Sequence, residues 1–227
     1  TPETSPRLDS SAASDVYKRQ PVSKNTAKLF VIAAPSGAGK TTIVKALVAR
    51  NPELRFSISY TTRQKRRTEV DGVDYLFVDV EEFERLKAQG ELLEFAEVFD
   101  NFYATSRSQV EKHLAAGHNV ILEIDWQGAR QVRESMPECI TIFILPPSLL
   151  ELERRLRDRR TDSPEVIERR LRDALHDMGH WDEFDYVIIN DRLEQAVSDL
   201  ESVLAGQGES CACANVGLRR TISRIIG

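Results

Sequence analysis

Cysteine is scarce here: three residues in a chain of 227. That excludes a disulfide framework and points to a reducing, cytosolic compartment. Cys139 opens an apolar run and reads as a buried thiol. Cys211 and Cys213 form a C-x-C without Cys or His partners nearby, which is weak ground for a metal site. Excess positive charge is also missing. Lys and Arg total 31 against 36 Asp and Glu, for a formal net charge of −5. With no long basic run to offset it, this argues against a dedicated nucleic-acid binder. No apolar stretch approaches the ~20 residues that span a bilayer. Residues 1–27 contain no apolar segment of the kind a secretory signal needs, and Glu3, Asp9 and Asp15 interrupt any transit peptide. Rich in Ser, Thr, Pro and Ala, this stretch reads as a disordered tail. There is no internal repeat, and no sequence feature specifies an oligomeric state. The remaining composition, 41% apolar and 30% charged, suits one α/β domain with its own core and room for a small insertion.

The apolar run Leu29–Ala33 predicts a buried strand, and Ala34-Pro35-Ser36-Gly37-Ala38-Gly39-Lys40-Thr41-Thr42 follows it directly. After it, Ile43, Val44, Leu47 and Val48 recur at helical spacing until Asn51-Pro52. Strand, Gly-rich loop and Lys-Thr at a helix start make a phosphate site. Loop N–H groups point inward at an anion, and the helix presents its positive end. Gly37 and Gly39 let the chain curl. Lys40 would reach the β- and γ-phosphates of a nucleoside triphosphate, and the Thr41 hydroxyl would hold Mg²⁺. Ala34 stands where the general pattern has Gly, and a Gly-rich turn in a core is the alternative reading.

Further on, Phe56–Tyr60 alternates as a strand does, as does Asp74–Val78. Asp79 with Glu82 predicts a capped helix ending at Gly90, and Glu91–Phe99 a strand. Ser106 or Ser108 caps a short helix stopped by Gly117. Asn119–Asp125, Ile140–Leu145 and Tyr186–Ile189 read as buried strands. Ser148 with Glu151, and Ser163-Pro164, open two more helices, and Leu193–Leu204 is the last. Strands separated by helices predict a parallel sheet. Between about Ser57 and Thr105 the strands crowd too closely for crossover helices, so this part reads as a mixed or antiparallel insertion. From Gln207 to Gly227 no helical period is evident.

Four constellations carry chemistry. Arg63 and Arg66 in a breaker-rich loop, followed by Tyr75, suit a phosphate grip, since guanidinium binds phosphate bidentately. A solvated basic loop is the alternative. Glu94 lies among Leu92, Leu93 and Phe95, where an unpaired carboxylate is costly unless the side chain faces outward from an edge strand. Asp125 follows a buried parallel strand, where ligands bind in open α/β sheets, and is placed to order Mg²⁺ or its waters. Capping the next helix is the alternative. Lastly, Arg154, Arg155, Arg157, Arg159, Arg160, Arg169, Arg170 and Arg172 suit either a mobile lid over a transferring phosphoryl group or a salt-bridged surface helix.

In order, Ser-Gly-Ala-Gly-Lys-Thr, Thr-Thr-Arg, Gly-x-Asp-Tyr, Tyr-x-Thr-Ser and Ile-Asp-Trp-Gln-Gly make the chain resemble the guanylate kinase family from about Leu29 to Leu204. The resemblance implies a P-loop α/β kinase: a parallel-sheet core (28–56, 107–147 and 176–205), a mixed-strand GMP-binding insertion (57–106) and an arginine lid (148–175); residues 206–227, beyond its reach, are expected to form an irregular C-terminal segment. It implies phosphoryl transfer from ATP to GMP with Mg²⁺, free nucleotides rather than nucleic acid or membrane as partners, and a cytoplasmic location. Residues 34–42 and Asn190 would hold ATP. Ser59, Glu94 and Thr105 would face guanine with Glu123 and Asp125 nearby. Arg63, Arg66, Tyr75 and Tyr103 would hold the GMP phosphate. Lys40, Arg63, Arg155, Arg159 and Arg170 would surround the moving phosphoryl, with Thr41 and Asp125 at the metal. Three departures stand out, the first that the family's C-terminal helix is hard to follow past Gly206. Ala104 replaces a usual Gly, which is tolerable only at negative φ, and Arg160 replaces a common Gly in the lid. A non-catalytic protein-binding relative and a sugar-phosphate kinase are the competing readings.

Overall fold

Alternating apolar strands and amphipathic helices place one sheet between two helical layers. The computed structural model describes residues 27–98, 100–158 and 164–227. The expected tail falls almost wholly outside them, as do Arg159, Arg160 and Ser163. A five-stranded, all-parallel sheet runs in the order β2-β7-β1-β8-β9, from Arg55–Phe56 (β2), Val120–Glu123 (β7), Leu29–Ala33 (β1), Ile140–Leu145 (β8) and Tyr186–Ile189 (β9). β1 is apolar at every position because both its faces are covered. Leu29, Val31 and Ala33 join one core cluster; Phe30 and Ile32 join the other.

Helices α1 (Lys40–Arg50) and α7 (Leu193–Leu204) supply the second cluster through Ile43, Val44, Leu47, Val197 and Leu200. The first takes Val132 from α4 (Trp126–Ser135), Leu152 and Leu156 from α5 (Leu149–Arg157), and Ala174 and Met178 from α6 (Pro164–Met178). It also takes Ile222 and Ile225 from α8 (Val216–Ile226). That helix corrects the expectation of an irregular C-terminus. Leu218, Ile222 and Ile225 are spaced by four and three and share one face. Asn215 accepts from the Leu218 N–H to start the helix. Cys211 and Cys213 are both buried, and Ala212 between them bridges Tyr186 of β9.

A second sheet, β4-β3-β6-β5, combines Leu76–Phe77 (β4), Tyr60–Thr61 (β3), Asn101–Ser106 (β6) and Leu92–Val98 (β5). β3 pairs parallel with β4, while β6 runs antiparallel to β3 and β5, giving the expected mixed character. α2 (Val80–Ala88) covers it through Phe83 and Leu86, with Phe83 stacked on Phe102 at 5.1 Å. One expectation is corrected here. Phe56–Tyr60 is not one strand: the chain leaves the core sheet after Phe56 and enters the second sheet at Tyr60. Side-chain alternation continues across that change, so the pattern could not reveal it. Asp74–Val78 likewise narrows to β4. Asp79, Ser106, Asp125 and Ser148 cap α2, α3 (Arg107–Ala115), α4 and α5 by accepting from backbone N–H groups. Ala104 lies inside β6, fully buried, and the one positive φ among described non-glycine residues is at Asp100.

Candidate active site

α1 starts differently from those capped helices. Its N-cap is Gly39, in the left-handed region at φ 92°, with no side-chain cap. Its first N–H groups are therefore left for an anion. Gly37 also sits at φ 90°. A methyl group there would stand 2.9 Å from Leu152 Cδ1; one on Gly39 would stand 2.5 Å from Asn190 Nδ2. Both glycines are required by conformation and by space. The loop is held from α5 and from the end of β9. Asn190, buried, donates to the Ala38 carbonyl at 2.7 Å. Arg155 donates to the Asn190 carbonyl at 3.0 Å and to Ala38 at 3.4 Å, with Glu151 bracing its Nε at 2.8 Å. Asn190 thus packs on the loop itself.

Lys40 Nζ donates to the Ile124 carbonyl, and the Thr41 hydroxyl donates to Glu123. Desolvation lowers the Lys40 pKa; the negative charges of Glu123, Asp125, Asp177 and Glu94 oppose it. Four carboxylates thus act on one ammonium. Asp177 was not singled out from the sequence. It lies in the last turn of α6 and accepts from Trp126 Nε1 at 3.0 Å.

A cavity of about 250 Å³ opens beside Lys40, lined by Ser59, Tyr75, Glu94, Ala96, Tyr103, Glu123, Ile124 and Asp125. Six of these come from the residues expected to meet guanine or its phosphate. Glu94 is 4% exposed, which excludes the outward-facing reading. Its Oε1 accepts from the Thr105 hydroxyl at 2.7 Å. Burial pushes its pKa up to about 7, against the pull of that hydrogen bond. A larger cleft of about 760 Å³ shares Lys40, Ser59, Tyr75 and Glu123 and adds Thr41 and Arg66.

Arg63 lines neither cavity. It lies 5.4 Å over the Tyr75 ring and donates to Glu69 at 2.8 Å. Glu69 also accepts from the Arg66 N–H at 2.8 Å, so one carboxylate organises both arginines of the grip. Its sequence signal is an acid three residues after Arg66 in an otherwise basic loop. Asp125 Oδ1 caps α4 through the Gly128 N–H at 2.7 Å, as the alternative reading has it, and the residue also lines the smaller cavity. The lid arginines divide. Arg154 and Arg157 pair with Glu151, Asp158 and Glu153 on an exposed face, as a salt-bridged surface helix would. Arg155 turns to the phosphate loop. Arg170 is half-buried on α6.

Among known proteins, the guanylate kinase family model matches residues 26–207. A guanylate kinase of Dechloromonas aromatica is 56% identical over 182 residues, covering 80% of this chain and 90% of the relative. One of Hydrogenovibrio crunogenus is 52% identical over 184 residues, covering 81% and 90%. The crystal structure of guanylate kinase from Anaplasma phagocytophilum superposes with a TM-score of 0.67 at 35% identity, covering 90% of this chain and 98% of that one. With a helix start open to phosphate, a buried carboxylate in the adjoining cavity and this extent of similarity, the chain belongs to the guanylate kinase family.

Proposed function

We propose that the protein transfers the γ-phosphoryl group of ATP to GMP, giving ADP and GDP. The observation that carries this is Glu94, buried, hydrogen-bonded by the Thr105 hydroxyl and lining the cavity that Lys40 also lines. As a carboxylate it accepts from guanine N1–H and the 2-amino group; adenine has a lone pair at N1 and no 2-amino group. A sugar phosphate would leave it unused, and a non-catalytic relative would have no need of Gly39, Lys40 and Thr41 together. Ser59 and Asp125 border the base. Arg63, Arg66, Tyr75 and Tyr103 hold its phosphate, with Glu69 setting the arginines. Residues 34–42 cradle the ATP phosphates. Lys40 neutralises charge on the moving group, and Arg155, Arg159 and Arg170 add positive charge from the lid. There is no covalent intermediate: the residues position, neutralise and exclude water.

The donors near Thr41 fit Mg²⁺. They are hard oxygens: the Thr41 hydroxyl and the Glu123 carboxylate that accepts from it, with Asp125 lining the cavity that Glu123 also lines. Among the described residues no cluster of three His, Cys, Asp or Glu could hold a metal by itself, which suits an ion that arrives with nucleotide phosphates. Mg²⁺ would supply charge neutralisation at those phosphates. We assign residues 57–106 to the acceptor part, 148–175 to the lid and 28–56, 107–147 and 176–205 to the core. No helix among the described residues is long and apolar enough to cross a membrane. Free nucleotides in the cytoplasm are the substrates proposed. The test is ADP release with a panel of nucleoside monophosphates. GMP should exceed AMP by ~10⁴ in kcat/KM, because a site built for a donor rejects its absence. Comparable values would refute the assignment.

A further inference from the structure

We propose that Gln131 is a positioning residue that fixes the guanine-reading carboxylate, a role that rests on the GMP kinase reading above. β5 is an edge strand, so one side of its backbone has no strand partner. Gln131, half-buried on α4, takes that side at one residue. Its Oε1 accepts from the Phe95 N–H at 3.1 Å, and its Nε2 donates to the Phe95 carbonyl at 2.9 Å. A carboxamide carries the same donor and acceptor as a peptide group, so it closes an edge as one residue of a neighbouring strand would.

The place where this occurs matters. Phe95 follows Glu94 directly. On the other side of β5 the pairing with β6 slips: Leu92 faces Ser106 and Glu94 faces Thr105, leaving an extra residue between them. Such a bulge re-aims side chains and interrupts the ladder locally. Glu94 is turned inward at a weak point of its strand, and the Gln131 clamp sits one residue away. Spaced by three, Asp125, Gly128 and Gln131 lie along one face of α4. Asp125 lines the base cavity. Gly128 leaves room for the carboxylate, since a methyl group there would stand 2.8 Å from Glu94 Oε2. Gln131 holds the backbone beside it. One helix face therefore sets both where Glu94 points and how firmly it stays there.

The experiment compares Gln131→Met, which keeps the length and removes both amide bonds, with Gln131→Glu, which keeps only the acceptor for the Phe95 N–H. KM and kcat are measured with GMP and with IMP, which lacks the 2-amino group. Gln131→Met should raise KM for GMP roughly tenfold with kcat within about twofold, as the loss of two exposed hydrogen bonds permits. KM for ATP should hold, and the preference for GMP over IMP should shrink several-fold. Gln131→Glu should fall between, and the Phe95 amide should exchange faster with solvent in Gln131→Met than in Gln131→Glu, which keeps its acceptor. Unchanged KM in both variants, or equal weakening of GMP and IMP, would overturn the role. If Gln131→Met fails to fold, the same ratios in Gln131→Glu decide it. A native enzyme that does not prefer GMP over AMP overturns the underlying kinase reading, whatever the variants do.

Discussion

Glu94 works by being held in a costly place. Its pKa is raised from 4.5 to about 7, chiefly by desolvation. The folded protein therefore binds a proton between about pH 4.5 and 7 that the unfolded chain releases, so stability falls as pH rises through that window. The cost at pH 8 is on the order of 3 kcal/mol. Glu94→Gln should accordingly raise Tm at pH 8 more than at pH 5, while losing most GMP activity. On the proposed assignment the ionised form accepts from guanine, so KM for GMP should fall as pH rises through 7 in the native enzyme. In Glu94→Gln that dependence should flatten, and a retained slope would exclude Glu94 as its source. Lys40→Met isolates the charge in a similar way. It should cost roughly 10²–10³-fold in kcat with Tm unchanged or raised, as activity and circular dichroism together would show. Lys40 was legible in the sequence from its strand–loop–helix junction, whereas the acid in an apolar run left Glu94 open between a buried and an outward-facing position until the fold buried it. Asn190 was legible only as a residue near ATP. Its grip on Ala38 joins positions 152 residues apart in the chain, beyond the reach of any local pattern.

At the scale of elements, α5 carries two kinds of arginine. Arg154 has a side chain 61% exposed and shares Glu151 and Asp158; such surface pairs contribute about 0–1 kcal/mol. Arg154→Ala should leave kcat within about twofold. Arg155→Ala should lower kcat roughly 10²-fold with KM for GMP little altered, because its contacts are with the phosphate loop. Equal effects from the two would return the helix to a purely surface role. Helix composition gave no way to choose between these arginines, since a single residue step along α5, about 100° around its axis, separates solvent from site. α8 was missed for a related reason: Gly217 and three arginines dilute a short apolar stripe. Deleting residues 215–227 removes fully buried Ile222 along with Ile225, each worth ~1.5–3 kcal/mol. Tm should drop by about 10 °C with activity near normal at low temperature. An unchanged melting curve would mean the helix does not hold the first core cluster together. β6 was quoted only as a motif because Asn101-Phe102-Tyr103-Ala104-Thr105-Ser106 is too polar to announce a strand. Yet β6 pairs on both sides, and this is what puts Thr105 opposite Glu94.

For the whole molecule, ligand and fold are linked. A substrate that binds only the native state stabilises it by ~2.7 kcal/mol at a hundred times its Kd. GMP should therefore raise Tm, and the increment should be larger at pH 8 than at pH 6, since Glu94 must give up its proton to bind. Calorimetry at the two pH values checks this, and a larger increment at pH 6 would contradict the role of the carboxylate. One arrangement noted above has a wider reach. The chain enters the second sheet on β3 and leaves it on β6, and these strands are direct neighbours, with Tyr60 opposite Ala104 and Thr61 opposite Tyr103. An insert whose two ends meet can lengthen, shorten or be exchanged without stretching what it is inserted into. In the division proposed above, the phosphate loop, its helix and the lid sit outside that graft, so a lineage could rewrite which acceptor is read while the part that handles the phosphoryl group keeps its register. The helix face bearing Asp125, Gly128 and Gln131 is where such a rewriting would have to be matched from the core side.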